Sequence, residues 1–386
     1  MRLQRNIVFL SFAFLLIFFG FDGLQQYITI SFTQQGFKEL GFVSLIIIYS
    51  VFTLANPIAA MVVSRLGAKR SMMIAALFYT LYCLSLLSLR AELIVGASVL
   101  LGIAGALLWT AQTSYLVRAS EPAVYGRNSG LFPTFFAIGA AGGVFVFGWI
   151  LPMVGFEKSF FLFALFPLIA IILLLGLEDI RTQVQGTKWA TVFGIARSKT
   201  ALRFAAIWFP FNFIQGLVLG ALPLEISQIM GSLRAVGVLT ALFYISPIVL
   251  SYSIGRLSDK IGRRSMITLM YASALTGLGL LVVRSTPVFL VVAIVILAFN
   301  FGLFHTIGFA LVGDVSTQKT LESFTALTWM VRSSAFVPAL LFGAVLEHKQ
   351  VTIASLLSIV FSYFIFWKIR KLSFPAIQSQ IEQEVQ

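Results

Sequence analysis

Four polar residues interrupt an otherwise apolar stretch near the start of the chain: Asp22, Gln25, Gln26 and Thr29, at i, i+3, i+4 and i+7. On one helix that spacing is a single face. An acid, two carboxamides and a hydroxyl therefore point the same way. In hydrocarbon each is costly and is usually kept where it meets a partner or a cavity. In a low-dielectric cavity Asp22 could bind and release protons near neutral pH; near the membrane surface it would be hydrated and idle. A second stretch repeats the pattern. Trp208-Phe209-Pro210-Phe211-Asn212-Phe213-Ile214-Gln215 aligns with Phe18-Phe19-Gly20-Phe21-Asp22-Gly23-Leu24-Gln25, so Asn212 answers Asp22 and Gln215 answers Gln25. Matched groups of this kind are what a binding site on a pseudo-two-fold axis shows.

Other polar groups stand inside apolar runs. Trp109, Gln112 and Thr113 share a face, and Asn300 and His305 occupy the run that answers theirs, with His305 opposite Trp109. His305 is either a titrating group or a hydrogen-bonded packing residue among Phe and Leu. Arg332 lies about eleven residues inside its run, where an unpaired guanidinium is not tolerated. It demands either a cavity-facing anion or carboxylate, or a structural pair with Asp22 or another internal group. Glu225, near the end of its run, is expected to see water. The lone Cys83 reads as a small buried hydrophobe. These groups can bind but do not assemble into a reaction centre. The sequence contains no phosphate loop, metal-ligand cluster or nucleophile triad, so neither an enzyme nor a resident cofactor is expected.

The elements carrying these residues follow from composition. Apolar residues make up 59% of the 386 positions and charged residues 11%, against about 25% charged in a soluble domain. The apolar content arrives as twelve runs, near 7–30, 41–63, 72–89, 93–117, 129–151, 159–177, 203–228, 235–255, 266–283, 288–313, 322–346 and 351–369. Runs of about 20 residues span a bilayer as helices, and the alternating ten-residue segments of a barrel are absent. In the fifth run, Gly139 and Gly143 have the small-xxx-small spacing of close helix packing. The polar stretch 178–202 divides the chain into a first bundle over 1–177 and a second over 203–370, with a polar tail at 371–386.

Net charge is +13, and its distribution decides what it means. With the N-terminus inside, 20 of the 27 Lys and Arg fall in the loops and termini of one side and six on the other, leaving Arg332 in a span. That asymmetry is the positive-inside rule. It predicts a multi-pass membrane protein with both termini cytoplasmic, in contact with the lipid bilayer and not with nucleic acid.

A basic loop occurs twice, each time between the second and third runs of a half. The copies are Ser64-Arg65-Leu66-Gly67-Ala68-Lys69-Arg70-Ser71-Met72 and Gly255-Arg256-Leu257-Ser258-Asp259-Lys260-Ile261-Gly262-Arg263-Arg264-Ser265-Met266. The chain is a duplication. Six plus six with this loop resembles the major facilitator superfamily, whose loop signature the second copy matches at every defined position from Gly255 to Arg264. The first copy has Ala60 and Ser64 where the Gly and Asp would stand. The resemblance implies an all-α membrane fold of twelve transmembrane helices in two pseudo-symmetric bundles, surrounding a pathway lined by the first, fourth, seventh and tenth helices. It also implies a conformational latch at Arg65, Asp259, Arg263 and Arg264, intact in the second half and altered in the first. On this reading Asp22, Gln25, Gln26, Trp109, Gln112, Asn212, Gln215, Asn300, His305 and Arg332 are the substrate-binding candidates.

Two further stretches, Phe21-Asp22-Gly23-Leu24-Gln25 and Gly102 to Leu116, are similar to the Unc-ninety-three-like branch. That branch implies two functions, and both stay open. One is a secondary transporter moving a small solute by alternating access, with or without proton coupling. The other is a non-transporting accessory protein that regulates an ion channel or membrane receptor through a membrane-protein partner.

Overall fold

Each apolar run becomes a helix because its backbone has no polar partner in lipid but its own turns. The computed structural model describes residues 2–119, 125–180, 197, 199–283, 286–315 and 321–369. In chain order the helices are α1 (Arg2–Gln25), α2 (Ile28–Gln34), α3 (Lys38–Leu66), α4 (Ala68–Ser85), α5 (Ala91–Arg118), α6 (Tyr125–Val154), α7 (Phe156–Leu175), α8 (Lys199–Met230), α9 (Leu233–Ile261), α10 (Arg263–Val283), α11 (Pro287–Val315), α12 (Leu321–Val345) and α13 (His348–Ile369). Among the described residues there is no strand, and 12 helices are long and apolar enough to cross a membrane. The protein is an all-α, multi-pass membrane protein, as its composition requires.

The thirteenth helix is the departure. The first run does not continue as one helix to residue 30. It breaks at Gln26–Tyr27, and the short α2 follows. No Gly or Pro marks the break. Tyr27 N–H bonds the Leu24 carbonyl at 2.9 Å, a tightened final turn. At the break the Tyr27 hydroxyl reaches two carbonyls outside its helix, 3.3 Å from that of Val144 and 3.2 Å from that of Leu233.

The duplicated loop is also duplicated in its backbone. Gly67 joins α3 to α4 at φ +86, and Gly262 joins α9 to α10 at φ +85. Side chains rarely adopt that conformation, so both copies use glycine for the turn even where their charged residues differ.

Contacts divide the chain into two compact units, Met1–Gly186 with Ile226–Ile245, and Thr187–Glu225 with Ser246–Gln386. In the first unit α1 packs along α6 and α7, while α5 packs along α3 and α4. At two points of the α1–α6 seam no side chain intervenes between the main chains. A Cβ on Gly139 would lie 2.8 Å from the Leu15 Cα, and one on Gly143 2.8 Å from the Phe19 Cα. The small-residue spacing in the fifth run is thus a packing device. In the second unit α10 packs along α11 and α13. There α8 meets α12 at Gly216, where a Cβ would stand 3.1 Å from the Phe336 Cα.

Candidate functional site

In the first unit, α1 and the turn after it present Asp22, Gln25 and Gln26, all buried. Thr29 is buried too, but it belongs to α2, so the expected stripe bends at Tyr27. Gln25 Nε2 donates to the Tyr49 hydroxyl of α3 at 3.2 Å. Gln26 Nε2 donates to the Tyr244 hydroxyl of α9 at 3.0 Å, while its Oε1 is buried without a hydrogen-bond partner. Asp22 and Tyr49 lie within electrostatic reach of the buried Tyr79 on α4. The carboxylate therefore stands in a cluster of phenols. Tyr49, Tyr79 and Tyr244 are site residues that the sequence reading missed. The available signal was a Tyr inside an apolar run, whose hydroxyl usually needs a partner when buried.

α5 adds Trp109 and Gln112. Trp109 is half-buried and packs on Phe18 at 5.4 Å and Phe136 at 5.3 Å between ring centroids. Phe18 also meets Tyr79 at 5.9 Å, so one aromatic cluster runs from Trp109 towards the phenols around Asp22. Gln112 is buried, and its Oε1 accepts from the Thr113 hydroxyl at 3.2 Å.

In the second unit, α8 carries Asn212 and Gln215 one turn apart, both buried. Asn212 Nδ2 donates to the Trp208 carbonyl of its own helix at 2.9 Å, and its Oδ1 has no hydrogen-bond partner. Gln215 has none at either end of its amide. A buried donor or acceptor left unsatisfied costs about 1–3 kcal/mol, and Gln215 carries one of each.

The remaining candidates are engaged locally. Asn300 Nδ2 reaches α10, donating to the Met270 carbonyl at 2.6 Å and the Ser273 hydroxyl at 2.9 Å. His305 stacks on Phe301 at 4.2 Å with Nδ1 3.1 Å from the Phe301 carbonyl, and it lies within electrostatic reach of Arg332. The Arg332 guanidinium sits over the rings of Trp329 at 5.1 Å and Phe336 at 5.8 Å. Both rings come from its own helix, one turn to either side, and offer quadrupole faces to the cation. Glu225 is 2% exposed, which corrects the expectation that it sees water.

The two copies of the basic loop differ in their contacts. Asp259, in the last turn of α9, pairs with Arg263 across Gly262 at 3.0 Å. Arg264 and Arg65 are exposed. In the first loop, where Ser64 replaces the acid, Lys69 takes a different partner. Its Nζ donates to the carbonyls of Leu175 and Leu177 at 2.7 and 2.6 Å, capping the C-terminal end of α7, where a cation is favoured. Glu178 beside it receives Arg5 at 3.8 Å, and its carbonyl accepts from the Tyr115 hydroxyl at 2.9 Å. The start of α1, the first basic loop and the end of α7 therefore share one face of the unit.

The family model described as the Major Facilitator Superfamily matches residues 3–335 and again 204–376. Among curated relatives, the UNC93-like protein MFSD11 of Xenopus tropicalis is 36% identical over 134 residues, 34% of this chain and 30% of that protein. Protein unc-93 homolog A of Bos taurus is 30% identical over 148 residues, 36% of this chain and 32% of that protein. The chain thus matches about a third of the length of each. Among solved structures, the nucleoside transporter NupG superposes with a TM-score of 0.75 at 15% identity, over 96% of this chain and 100% of that one. A POT family transporter in complex with 5-aminolevulinic acid gives 0.78 at 11% identity, over 98% of this chain and 100% of that one. At these identities the superpositions show the fold.

Proposed function

The chain belongs to the Major Facilitator Superfamily, and from that premise we propose that it is a secondary transporter moving a small solute by alternating access. The observation that carries this reading is the pair Asn212 and Gln215 on α8. Three buried amide atoms without hydrogen-bond partners are costly to a structural helix and useful to one that binds a polar solute. The same sequence register on α1 holds Asp22 and Gln25, so the first helix of each half carries polar groups of the same kind. The halves are 1–177 and 203–370, and the charge asymmetry of the sequence favours cytoplasmic termini. If the cycle is proton-coupled, Asp22 is its proton carrier, a carboxylate within α1 in electrostatic reach of Tyr79.

The test is uptake into proteoliposomes under an imposed proton gradient. A panel of radiolabelled uridine, alanyl-alanine, 5-aminolevulinate and glucose supplies the solutes. Gln215→Leu should lose at least tenfold in uptake of whichever solute the parent moves, with melting temperature unchanged or raised, because removing a buried unsatisfied amide is not destabilising. Undiminished uptake in a well-folded Gln215→Leu protein would take α8 out of the site.

Kinship with UNC93-like proteins favours a second reading, in which the same fold serves as an accessory subunit. Co-purification of a stoichiometric membrane partner, with no uptake of any panel solute, would favour it over transport.

A further inference from the structure

One face of α1 changes character along its length. Phe14, Phe18 and Asp22 fall at i, i+4 and i+8, and Gln25 and Gln26 follow about one turn on, so two rings, an acid and two amides stand in line. All five are buried. The half-buried Trp109 of α5 covers the ring end, 5.8 Å from Phe14 and 5.4 Å from Phe18 between centroids. Tyr79 of α4 joins the two ends of the stripe: its ring lies 5.9 Å from that of Phe18, and it stands within electrostatic reach of Asp22. Along the helix axis Phe18 and Asp22 are about 6 Å apart.

What such a stripe can bind follows from what its polar groups still offer. An ionised carboxylate only accepts hydrogen bonds, whereas a carboxamide donates at one end and accepts at the other. Both carboxamides turn their donor ends to phenols, Gln25 to Tyr49 at 3.2 Å and Gln26 to Tyr244 at 3.0 Å. Gln26 Oε1 stays buried without a hydrogen-bond partner. The stripe therefore presents acceptors and a negative charge. A carboxylate or phosphate would be repelled by Asp22, and a polyol brings acceptors as well as donors. An ammonium group brings donors alone, with a positive charge. Its donors suit Asp22 and Gln26, and the faces of aromatic rings attract its charge. Phe14, Phe18 and Trp109 suit an apolar body one helical turn away.

We propose that this stripe of the first unit seats an organic ammonium ion, its nitrogen at Asp22 and its apolar body against Phe18 and Trp109. The inference rests on the transporter reading above, from which it takes only that α1 meets the solute, and it narrows the solute to amines that are charged at neutral pH. An N–H on the nitrogen is part of the fit, because Gln26 Oε1 asks for a donor.

The experiment is calorimetric titration of the purified full chain in detergent at neutral pH. Butylamine, cyclohexylamine and phenethylamine are each compared with the alcohol and the carboxylate of the same skeleton. At least one amine should bind, about tenfold or more tighter than both of its analogues. Asp22→Asn should lose that preference, while Glu92→Gln, which neutralises an exposed acid in the first turn of α5, should keep it. The ligand series on the parent chain needs no variant, so a misfolded Asp22→Asn protein would not spare the proposal. Binding by none of the amines, an alcohol or carboxylate that binds within about twofold of its amine, or an amine preference that survives in Asp22→Asn would overturn it. Failure of the transport reading looks different: the amine binds with its full preference yet is never moved into proteoliposomes. Uptake of uridine or another solute by a chain that binds no amine would remove the ammonium seat and leave transport standing.

Discussion

Lys69→Met tests how the first basic loop is held in place of the acid it lacks. The lysine makes two charge-assisted bonds, 2.7 Å to the Leu175 carbonyl and 2.6 Å to that of Leu177. Desolvated bonds of this type contribute about 1.5–3 kcal/mol each. Lys69 is only half-buried and its contact with Leu175 lies on the exposed side, so solvent screening reduces the pair to about 1–2 kcal/mol together. The corresponding tie in the second loop is weaker. Asp259 and Arg263 form an i,i+4 pair with 71% of the aspartate side chain exposed, worth about 0.3–0.5 kcal/mol. Scaled to a chain of this length, each kcal/mol moves the melting temperature by roughly 1–2 °C. Lys69→Met should therefore melt about 1–4 °C below the parent, and Asp259→Asn within about 1 °C of it, both read by intrinsic fluorescence in one detergent. A Lys69→Met protein as stable as the parent, or an Asp259→Asn protein that loses more, would refute the reasoning. The first loop would then not be held by its cap on α7.

Three other outcomes follow from named contacts. Asp22→Asn should flatten the pH dependence of uptake, measured in proteoliposomes; a retained pH profile would assign the proton elsewhere. Gly143→Ala must push α1 off α6, because its Cβ would meet the Phe19 Cα at 2.8 Å. It should cost about 1–3 kcal/mol as overpacking, visible as a lowered melting temperature. Asn300→Leu removes the bonds from α11 to Met270 and Ser273. It should destabilise the chain by about 1–2 kcal/mol through the two hydrogen bonds it loses, the Ser273 hydroxyl still donating to the Met270 carbonyl at 3.1 Å, and a thermal scan that shows no loss would release Asn300 from its packing role.

Which of these features the sequence discloses depends on how far apart the partners lie along it. The twelve spans were legible because bilayer thickness sets a run length that composition displays directly. Gly67 and Gly262 were legible as a repeat, and their shared positive φ gives that repeat a backbone reason. The break at Tyr27 was not, because no local residue type marks it; the Tyr27 hydroxyl there meets the Leu233 carbonyl, 206 positions away. The bond from Gln26 to Tyr244 crosses 218 positions and is equally invisible to periodicity. Arg332 is a different case. Beside the anion or internal pair expected for its charge, Trp329 and Phe336 stand one turn to either side in the sequence, and the aromatic seat they give the guanidinium was readable there.

The seam at Gly139 and Gly143 bears on how any motion would propagate. Side chains absorb small displacements by changing rotamer, so helices that meet through them can slide with some slack. At Leu15 and Phe19 two main chains touch with no rotamer between them, while along the rest of the seam Phe12, Phe14 and Phe18 pack on Phe135, Phe132 and Phe136. A displacement of α1 at the two glycines therefore meets the α6 main chain directly, and the slack between these helices lies in the aromatic pairs.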